Sequence, residues 1–394
     1  MVCHLKKDEF LLLLVNHVEA AAEKIGHIMI MFEAMIGDKY PEVSIKLYSG
    51  IYYLESRGYR PEEIFRIGKT LKNKAKRYYT VDNSIYENRK SAGNVIDKEA
   101  GILNRGNLTR LKNFLNRAAQ GERLTVGFIG GSITQGFAAT APDKCYAART
   151  VAWLRKVFPN TEFDYVNAGI GATNSQFGAA RVQEDLLCRL PDLAMVEFSV
   201  NDHCTPHDME TYEGLIRQIY GSRSCPAMVL LHSVYYDTGK SAAYYHAQIG
   251  RHYDLPCISM QNSIYPAVAA GKLPAEKITA DFLHPNDLGH EFMVAVITNF
   301  LEKVIHDKTE EQQEIFPAPL TENAYEHCAR LQYFNSTPEK SGFEEDMTPQ
   351  RGITDIFRNG WSAGEKGAYL EFAFRGTGAA VQYRRVKDGP APIA

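Results

Sequence analysis

The sequence lacks the features that mark membrane, nucleic-acid-binding and disulfide-stabilised proteins. None of its apolar runs reaches the roughly 20 residues that a membrane-spanning helix needs. The formal net charge is only −3, so no overall basic field exists to attract nucleic acid or an anionic membrane. The seven cysteines are dispersed without a CxxC pair, which is typical of free thiols. These absences predict a protein with no nucleic-acid partner and no membrane partner.

The apolar stretch Phe10–Val15 is the N-terminal segment that most resembles an export signal. Polar residues Asn16 and His17 follow it at once, and no small-residue cleavage site comes after them. We therefore interpret the stretch as the apolar face of a buried helix and predict a cytoplasmic protein. The sequence leaves the oligomeric state open.

The first hundred residues show two patterns. Residues 1–80 carry apolar side chains at helical spacing, for example at Phe10, Leu14 and Val18, which predicts a small helical region whose role the sequence does not reveal. Residues 81–106 are polar and aperiodic, which is typical of a linker.

Residues 107–306 alternate short β-rich runs with helical patterns. This alternation predicts βαβ units, and hence a parallel sheet with helices on both faces. The strands read as nearly continuous apolar runs, as a sheet covered on both faces requires. In such sheets the active site lies at the carboxyl ends of the strands. The predicted strands are Leu124–Ile129, Glu162–Val166, Leu193–Val200, Ala227–Val234 and Pro256–Ser259.

Residues 315–394 have a different pattern. Tyr369–Phe374 and Ala380–Arg384 alternate in polarity, and Arg375–Gly378 lies between them as a turn, which predicts antiparallel β-structure. The strands are too few for a sandwich of about seven. We therefore expect a partial β-sandwich-like module, either truncated or completed by another chain.

The first chemical signal is Gly130-Gly131-Ser132, directly after the first predicted strand. Two glycines allow a sharp turn, and the serine after it is placed near backbone N–H groups that are free to bind an anion. A phosphate-binding loop is the main alternative, but Gly136 is followed by Phe137 where the Walker pattern needs lysine. Taken alone, the motif fits a nucleophile and a plain tight turn equally well.

Three further blocks follow at or near later strand ends. Gly171 leaves an N–H open, and the amide of Asn201 can donate a hydrogen bond to an oxyanion. Asp281 and His284, three residues apart before the last helix, have the residue types that activate a serine hydroxyl. Each block alone also fits a turn or a helix cap. Together the blocks occur in the order Ser, Gly, Asn, Asp–His.

In these four blocks the chain resembles the SGNH, or GDSL-like, hydrolase superfamily. The resemblance covers residues 107–306, and Gly131 stands where the family usually has Asp in its Gly-Asp-Ser motif. It implies a flavodoxin-like three-layer α/β/α fold. It also implies a catalytic set of Ser132, Asp281 and His284, and an oxyanion hole formed by Ser132, Gly171 and Asn201. Such a mechanism uses no metal and no cofactor.

Two histidine clusters offer metal binding as an alternative interpretation. Pro206 breaks the helical spacing of one cluster, and Asn286 or Asp287 is more simply the cap of the last helix. We therefore expect no metal. The clusters are His284, Asp287 and His290, and His203, Cys204 and His207.

The resemblance extends to bacterial members that remove acetyl groups from carbohydrates. It implies a serine esterase for small acyl esters, with a small molecule or an oligosaccharide ester as substrate. The small residues after Phe137 suggest a small acyl pocket, and Tyr235, Tyr236, Tyr244 and Tyr245 suggest a weaker hypothesis of a sugar-stacking wall. A lysophospholipase- or thioesterase-type hydrolase and a non-catalytic carbohydrate-binding protein remain as alternatives.

Overall fold

The computed structural model divides the chain into two compact units, Met1–Glu87 and Asn88–Ala394. The residues that it describes are 2–6, 9–12, 95–347, 356 and 358–383.

In the first unit, the described residues form an antiparallel hairpin of β1 (Val2–Lys6) and β2 (Glu9–Leu12). The prediction of a helix through Phe10 is therefore wrong for these residues. A short apolar run fits a strand and a buried helix equally well, and periodicity cannot separate the two. The rest of the predicted helical region, residues 13–80, lies outside the described residues.

The second unit is built around a six-stranded sheet in the order β3-β8-β7-β6-β4-β5. Five of its strands are parallel, and their order corresponds to the 2-1-3-4-5 order of flavodoxin-like folds. The predicted fold class is thereby confirmed. The parallel strands are β4 (Leu124–Gly130), β5 (Phe163–Gly169), β6 (Leu193–Glu197), β7 (Ala227–His232) and β8 (Cys257–Ser259).

The sixth strand, β3 (Ile102–Asn104), runs antiparallel to β8 at one edge of the sheet. The backbone N–H of Ser259 also donates to the carbonyl of Gly101, at a distance of 2.7 Å. The prediction of a linker through residue 106 is therefore wrong for this part. Three residues are too few to show a periodicity, and the pairing is decided by a partner strand about 150 residues away.

Helices cover both faces of the sheet, and several bounds agree closely with the sequence pattern. The helix α3 spans Tyr146–Val157, as predicted. No helix in the described part of the chain is both long and apolar enough to cross a membrane. The cytoplasmic location stays a prediction. The helices are α1 (Thr109–Ala119), α2 (Ser132–Gln135), α3, α4 (Ser175–Asp185), α5 (Pro206–Tyr220), α6 (Ala243–His252), α7 (Met260–Ser263), α8 (Tyr265–Ala269) and α9 (Asp287–His306).

The core lies in two layers, one on each face of the sheet. Phe128 and Met195 point into the layer that α1, α3 and α9 cover. Their chain neighbours Ile129 and Val196 point into the layer beneath α4, α5 and α6. Because both sets of side chains are fully buried, each strand must be apolar on both faces. This explains why the strands read as continuous apolar runs.

The C-terminal residues form two small two-stranded antiparallel sheets. Strand β9 (Glu339–Ser341) pairs with β12 (Tyr369–Glu371), and β10 (Glu344–Glu345) pairs with β11 (Trp361–Ser362). Antiparallel structure is thus confirmed at Tyr369, but with a different partner. Residues 380–383 form no strand, because β12 pairs with a segment about 30 residues upstream rather than across the turn at Arg375–Gly378.

Candidate active site

Three loops meet at the carboxyl ends of β4, β5 and β6. The register pairs Gly130 with both Gly169 and Glu197, so the three strands end at the same level. Strand β4 lies where the order of the strands reverses, which is where ligands bind in open α/β sheets. Ser132 follows β4 directly and begins the short helix α2.

The glycines before Ser132 are required by close approach of neighbouring groups. A Cβ atom on Gly130 would lie 2.1 Å from Thr134 Oγ1 and 2.4 Å from the carbonyl oxygen of Glu197. A Cβ atom on Gly131 would lie 2.1 Å from Asn201 Oδ1. The absence of side chains at these glycines therefore allows the Ser132 loop and the Asn201 loop to come into contact.

Ser132, His284 and Asp281 form a continuous chain of hydrogen bonds. Ser132 Oγ lies 2.8 Å from His284 Nε2, and His284 Nδ1 lies 2.5 Å from Asp281 Oδ2. The serine is 9% exposed and the histidine 7% exposed, so the pair is sheltered but reachable. With the serine as donor to Nε2, the other ring nitrogen carries the proton that the carboxylate accepts. This arrangement can raise the nucleophilicity of a serine hydroxyl.

The Asp281 carboxylate is fixed by its own loop. Its Oδ1 accepts the backbone N–H of His284 at 2.7 Å and that of Leu283 at 3.0 Å, and it accepts the Thr279 hydroxyl at 3.1 Å. Burial alone would raise the pKa of Asp281, but the hydrogen bonds and charge of His284, with these backbone donors, hold that pKa below its ordinary value. Asp281 therefore stays ionised and can orient the imidazole.

One aromatic side chain, Phe137, borders the histidine, and a second, Phe282, belongs to the loop that carries it. The Phe137 ring lies 4.5 Å from the His284 ring, centroid to centroid, and is 40% exposed. Phe282, between Asp281 and His284, is 47% exposed and has a φ of 62°. Its carbonyl accepts the backbone N–H of Tyr236 at 2.7 Å, which holds this strained conformation. The rim of the site is therefore partly aromatic.

The predicted oxyanion donors lie in the three loops that meet beside Ser132. The backbone N–H of Ile170 donates to the carbonyl of Gly130 at 3.0 Å, which joins the Gly171 loop to the Ser132 loop. The N–H of Gly171 itself donates to Gln135 Oε1 at 2.6 Å. The amide oxygen of Asn201 is buried and has no hydrogen-bond partner among the described residues. The loops are brought together, but the Gly171 proton is engaged by a side chain that the sequence did not suggest.

The histidines of the alternative metal clusters have other contacts. His290 is buried, and its Nδ1 accepts the backbone N–H of Tyr146 at 3.2 Å. Burial lowers the pKa of His290 to about 4. Asp287 binds Thr140 and Lys144, and His207 Nε2 lies 3.3 Å from Gln176 Oε1. Within residues 95–347 and the other described positions, no group of three His, Cys, Asp or Glu side chains could hold a metal ion.

The proposed tyrosine wall is not assembled as a unit. Tyr236 is buried in the core, and the Tyr235 hydroxyl donates to the carbonyl of Val200 at 3.2 Å. Tyr244 is 67% exposed and meets Tyr245 edge to face. Of these residues, only Tyr244 is strongly exposed.

Sequence reasoning did not identify several groups that support the site. Thr279 lies two residues before Asp281, and that spacing could have suggested a turn in which its hydroxyl bonds the carboxylate. Nothing local distinguishes Gln135, whose acceptor role depends on a loop 36 residues away. The same holds for a buried pair of Asp202 and His246 behind the oxyanion loops.

Comparisons with known proteins give one family match and related solved structures. Residues 128–292 match the GDSL-like lipase/acylhydrolase family. A two-domain esterase (CEX) active on acetylated mannans, crystallised with mannopentaose, is 50% identical, with a TM-score of 0.65 over 69% of this chain and 73% of that chain. Its structure without that ligand gives 50% identity and a TM-score of 0.66 over 69% of this chain and 74% of that chain. No curated protein matches the chain.

The identity and the coverage together are too high for a likeness of fold alone. The family match also spans the loops that carry Ser132, Gly171, Asn201 and His284. The chain therefore belongs to the GDSL-like lipase/acylhydrolase family and is a carboxylic ester hydrolase.

Proposed function

We propose that this protein is a serine esterase that removes acetyl groups from carbohydrates. Ser132 is the nucleophile, His284 the general base and acid, and Asp281 the residue that orients His284. The observation that carries the proposal is the 2.8 Å contact between Ser132 Oγ and His284 Nε2, backed by the 2.5 Å contact between His284 Nδ1 and Asp281 Oδ2.

In the first half of the reaction, Ser132 Oγ attacks the acetyl carbonyl carbon while His284 Nε2 takes the hydroxyl proton. The tetrahedral intermediate then breaks its bond to the sugar oxygen, which receives that proton from His284. In the second half, water attacks the acetyl-serine while His284 takes one of its protons. The bond between the acetyl carbon and Ser132 Oγ then breaks, Ser132 Oγ receives that proton from His284, and acetic acid leaves. Asp281 holds the imidazole in the required tautomer and stabilises its charged form.

The negative oxygen of the intermediate needs hydrogen-bond donors that are in place beforehand. We assign this role to the N–H of Ser132, the side-chain amide of Asn201 and the N–H of Gly171. Because Gly171 donates to Gln135 Oε1 in the structure, the Gln135 amide must turn away before Gly171 can serve the substrate. Ser132 opens the helix α2, where backbone N–H groups have no partner within the helix.

Two features favour a small acyl group on a sugar. The Phe137 ring, 4.5 Å from His284, limits the space beside the base, which suits an acetyl group better than a long chain. The exposed rings of Phe137 and Phe282 offer apolar surfaces of the kind on which a pyranose ring can stack. The 50% identical esterase active on acetylated mannans supports the same substrate class.

The proposal is tested by labelling with a fluorophosphonate probe, which reacts with an activated serine. We expect the wild-type protein to be labelled at Ser132 and to hydrolyse p-nitrophenyl acetate, and we expect Ser132→Ala to lose both properties. Ser263→Ala is a matched control, because Ser263 is also buried and its hydroxyl has no partner among the described residues. That variant should keep both labelling and activity. Folded wild-type protein that takes up no label would contradict the proposal.

The substrate class is tested separately with p-nitrophenyl esters of increasing acyl length and with acetylated mannan oligosaccharides. We expect kcat/KM to fall steeply beyond acetate and acetate to be released from the oligosaccharide. A preference for long acyl chains would instead assign the protein to the lipase or thioesterase type. Binding of sugar without hydrolysis would assign it a carbohydrate-binding role.

A further inference from the structure

A second Asp–His pair lies behind the oxyanion loops. His246 Nε2 is 2.9 Å from Asp202 Oδ2, and both side chains are completely buried. Asp202 directly follows Asn201 in the chain, whereas His246 belongs to helix α6. The proposed mechanism uses neither residue. A fully buried carboxylate is costly unless its partners compensate for the lost water, so what it binds is informative.

The other oxygen of Asp202 reaches the neighbouring loop. Asp202 Oδ1 accepts the backbone N–H of Ser175 at 2.9 Å. Ser175 is the first residue of α4, which begins directly after the loop that contains Gly171. A negative group at the first turn of an 11-residue helix is also favoured by the helix dipole. One carboxylate therefore ties the loop after β6 to the loop after β5.

Asn201 and Asp202 belong to one turn of the backbone. Their N–H groups both donate to the carbonyl of Phe198, at 2.9 Å and 3.0 Å. Asn201 Oδ1 in turn lies against Gly131, next to the nucleophile. A displacement of the Asp202 carboxylate would therefore displace the Asn201 amide.

Stacking and a hydrogen bond fix the position of His246. The His246 ring stacks on Tyr212 with centroids 3.6 Å apart and planes at 3°. A carboxylate can only accept hydrogen bonds, so Nε2 of His246 is the donor in this pair. His246 Nδ1 has no hydrogen-bond partner within the described residues. Because no described hydroxyl or thiol lies at Nδ1, the geometry does not equip this pair to activate a nucleophile in the way that His284 can.

We propose that Asp202 and His246 are positioning residues, which hold Asn201 and the Gly171 loop in the geometry that stabilises the oxyanion. The inference rests on the proposed function, because it assigns a task within that reaction. Asp202 acts through Asn201, and it touches neither the substrate nor Ser132.

A double-mutant cycle of Asp202→Ala and Asn201→Ala tests the inference with p-nitrophenyl acetate. Asn201→Ala alone should lower kcat by about 10²–10³-fold. Asp202→Ala alone should lower kcat by about 10–100-fold with little change in KM, because it disturbs an oxyanion donor. In the Asn201→Ala background, Asp202→Ala should lower kcat by less than about threefold, because the donor it positions is already gone. Full multiplication of the two losses would overturn the inference.

Two further variants separate positioning from stability. Asp202→Asn keeps an oxygen for the Ser175 N–H and should recover most of the lost kcat; if Asp202→Ala does not fold, His246→Gln replaces it in the cycle. Asp208→Ala is the matched control, since Asp208 is also a buried aspartate at a helix start but binds Thr205 in the cap of α5. It should lower the melting temperature without changing kcat. A wild-type protein without esterase activity would refute the proposed function, whereas an active wild type with multiplying losses would refute only this inference.

Discussion

Two Asp–His pairs in the described part of the chain, Asp281–His284 and Asp202–His246, differ in their surroundings. In the outer pair, Asp281 and His284 lie 2.5 Å apart, with side chains 33% and 9% exposed. In the inner pair, Asp202 and His246 lie 2.9 Å apart, and neither side chain is exposed. The outer pair lies within one loop, and the inner pair joins two loops to a helix.

The difference lies at the second ring nitrogen of each histidine. In the outer pair it faces the Ser132 hydroxyl, so a proton taken from the serine can be returned to a leaving alcohol. In the inner pair, the second nitrogen, His246 Nδ1, has no hydrogen-bond partner among the described residues, and the His246 ring stacks on Tyr212. We therefore expect the same two residue types to supply a base in the outer pair and a positioning contact in the inner pair.

The largest expected effect comes from replacing the histidine of each pair with alanine, in two separate variants, and comparing their activities. His284→Ala should lower kcat for p-nitrophenyl acetate by about 10⁴-fold or more, because the base is lost. His246→Ala should lower it by only about 10–100-fold, because a donor is displaced rather than removed. Steady-state kinetics of the purified variants measure both. Equal losses would show that the two pairs do not have different tasks.

A second prediction concerns stability in acid. It depends on buried histidines that stay neutral in the folded protein and become protonated in the unfolded chain. Burial lowers the pKa of His232 to about 3 and that of His290 to about 4. Both values lie below the ordinary histidine pKa of about 6.5, so the unfolded chain binds more protons than the folded one. Stability is therefore complete above about pH 6.5 and falls as the pH is lowered towards the folded values.

Between pH 7.5 and pH 5, each of these histidines should lower the unfolding free energy by about 2 kcal/mol. Urea unfolding at pH 7.5 and pH 5 measures the loss. His232→Leu should reduce it, since that side chain makes no hydrogen bond within the described residues. A substitution at the exposed His306 should leave the loss as it is in the wild type. An unchanged loss in His232→Leu would mean that His232 is not kept neutral by the fold.

The smallest expected effect concerns the rim of the outer pair. Phe282→Gly relieves a φ of 62°, which should stabilise the fold by up to about 1 kcal/mol. It also removes an exposed ring, so KM for an acetylated mannan oligosaccharide should rise by about threefold to tenfold while KM for p-nitrophenyl acetate stays unchanged. Ala138→Gly relieves a similar φ of 68° without loss of a ring and should change stability alone. A KM that is unchanged for both substrates would remove Phe282 from sugar binding.

The parts of this protein that sequence predicts best are those governed by near neighbours. The strand that begins at Leu124 and the helix Tyr146–Val157 follow from patterns within ten or so residues. The sequence predicts Asp281 and His284 as a pair because they lie only three positions apart in one loop. Their closeness in sequence made closeness in space a safe expectation.

Prediction was weaker where a partner far along the chain decides the outcome. Strand β3 exists because β8 offers it an edge, and β12 pairs with β9 instead of with the next alternating segment. The hairpin at Val2–Leu12 read as a helix for the same reason, since a short apolar run adopts whichever structure its neighbours allow. Gln135 and His246 bind groups 36 and 44 residues away, at distances that no local pattern records.

The amino-acid sequence by itself determined the order of the five parallel strands and the helices between them, the two-sided apolar character of these strands and the residue types at their ends. Tertiary structure alone decided which of those residues touch. It placed a histidine 152 residues away against the Ser132 hydroxyl, engaged the N–H of Gly171 with Gln135, and buried a second Asp–His pair. The physical reason is that side-chain and backbone periodicity act over a few residues, whereas hydrogen bonds and burial depend on contacts that exist only after the chain has folded.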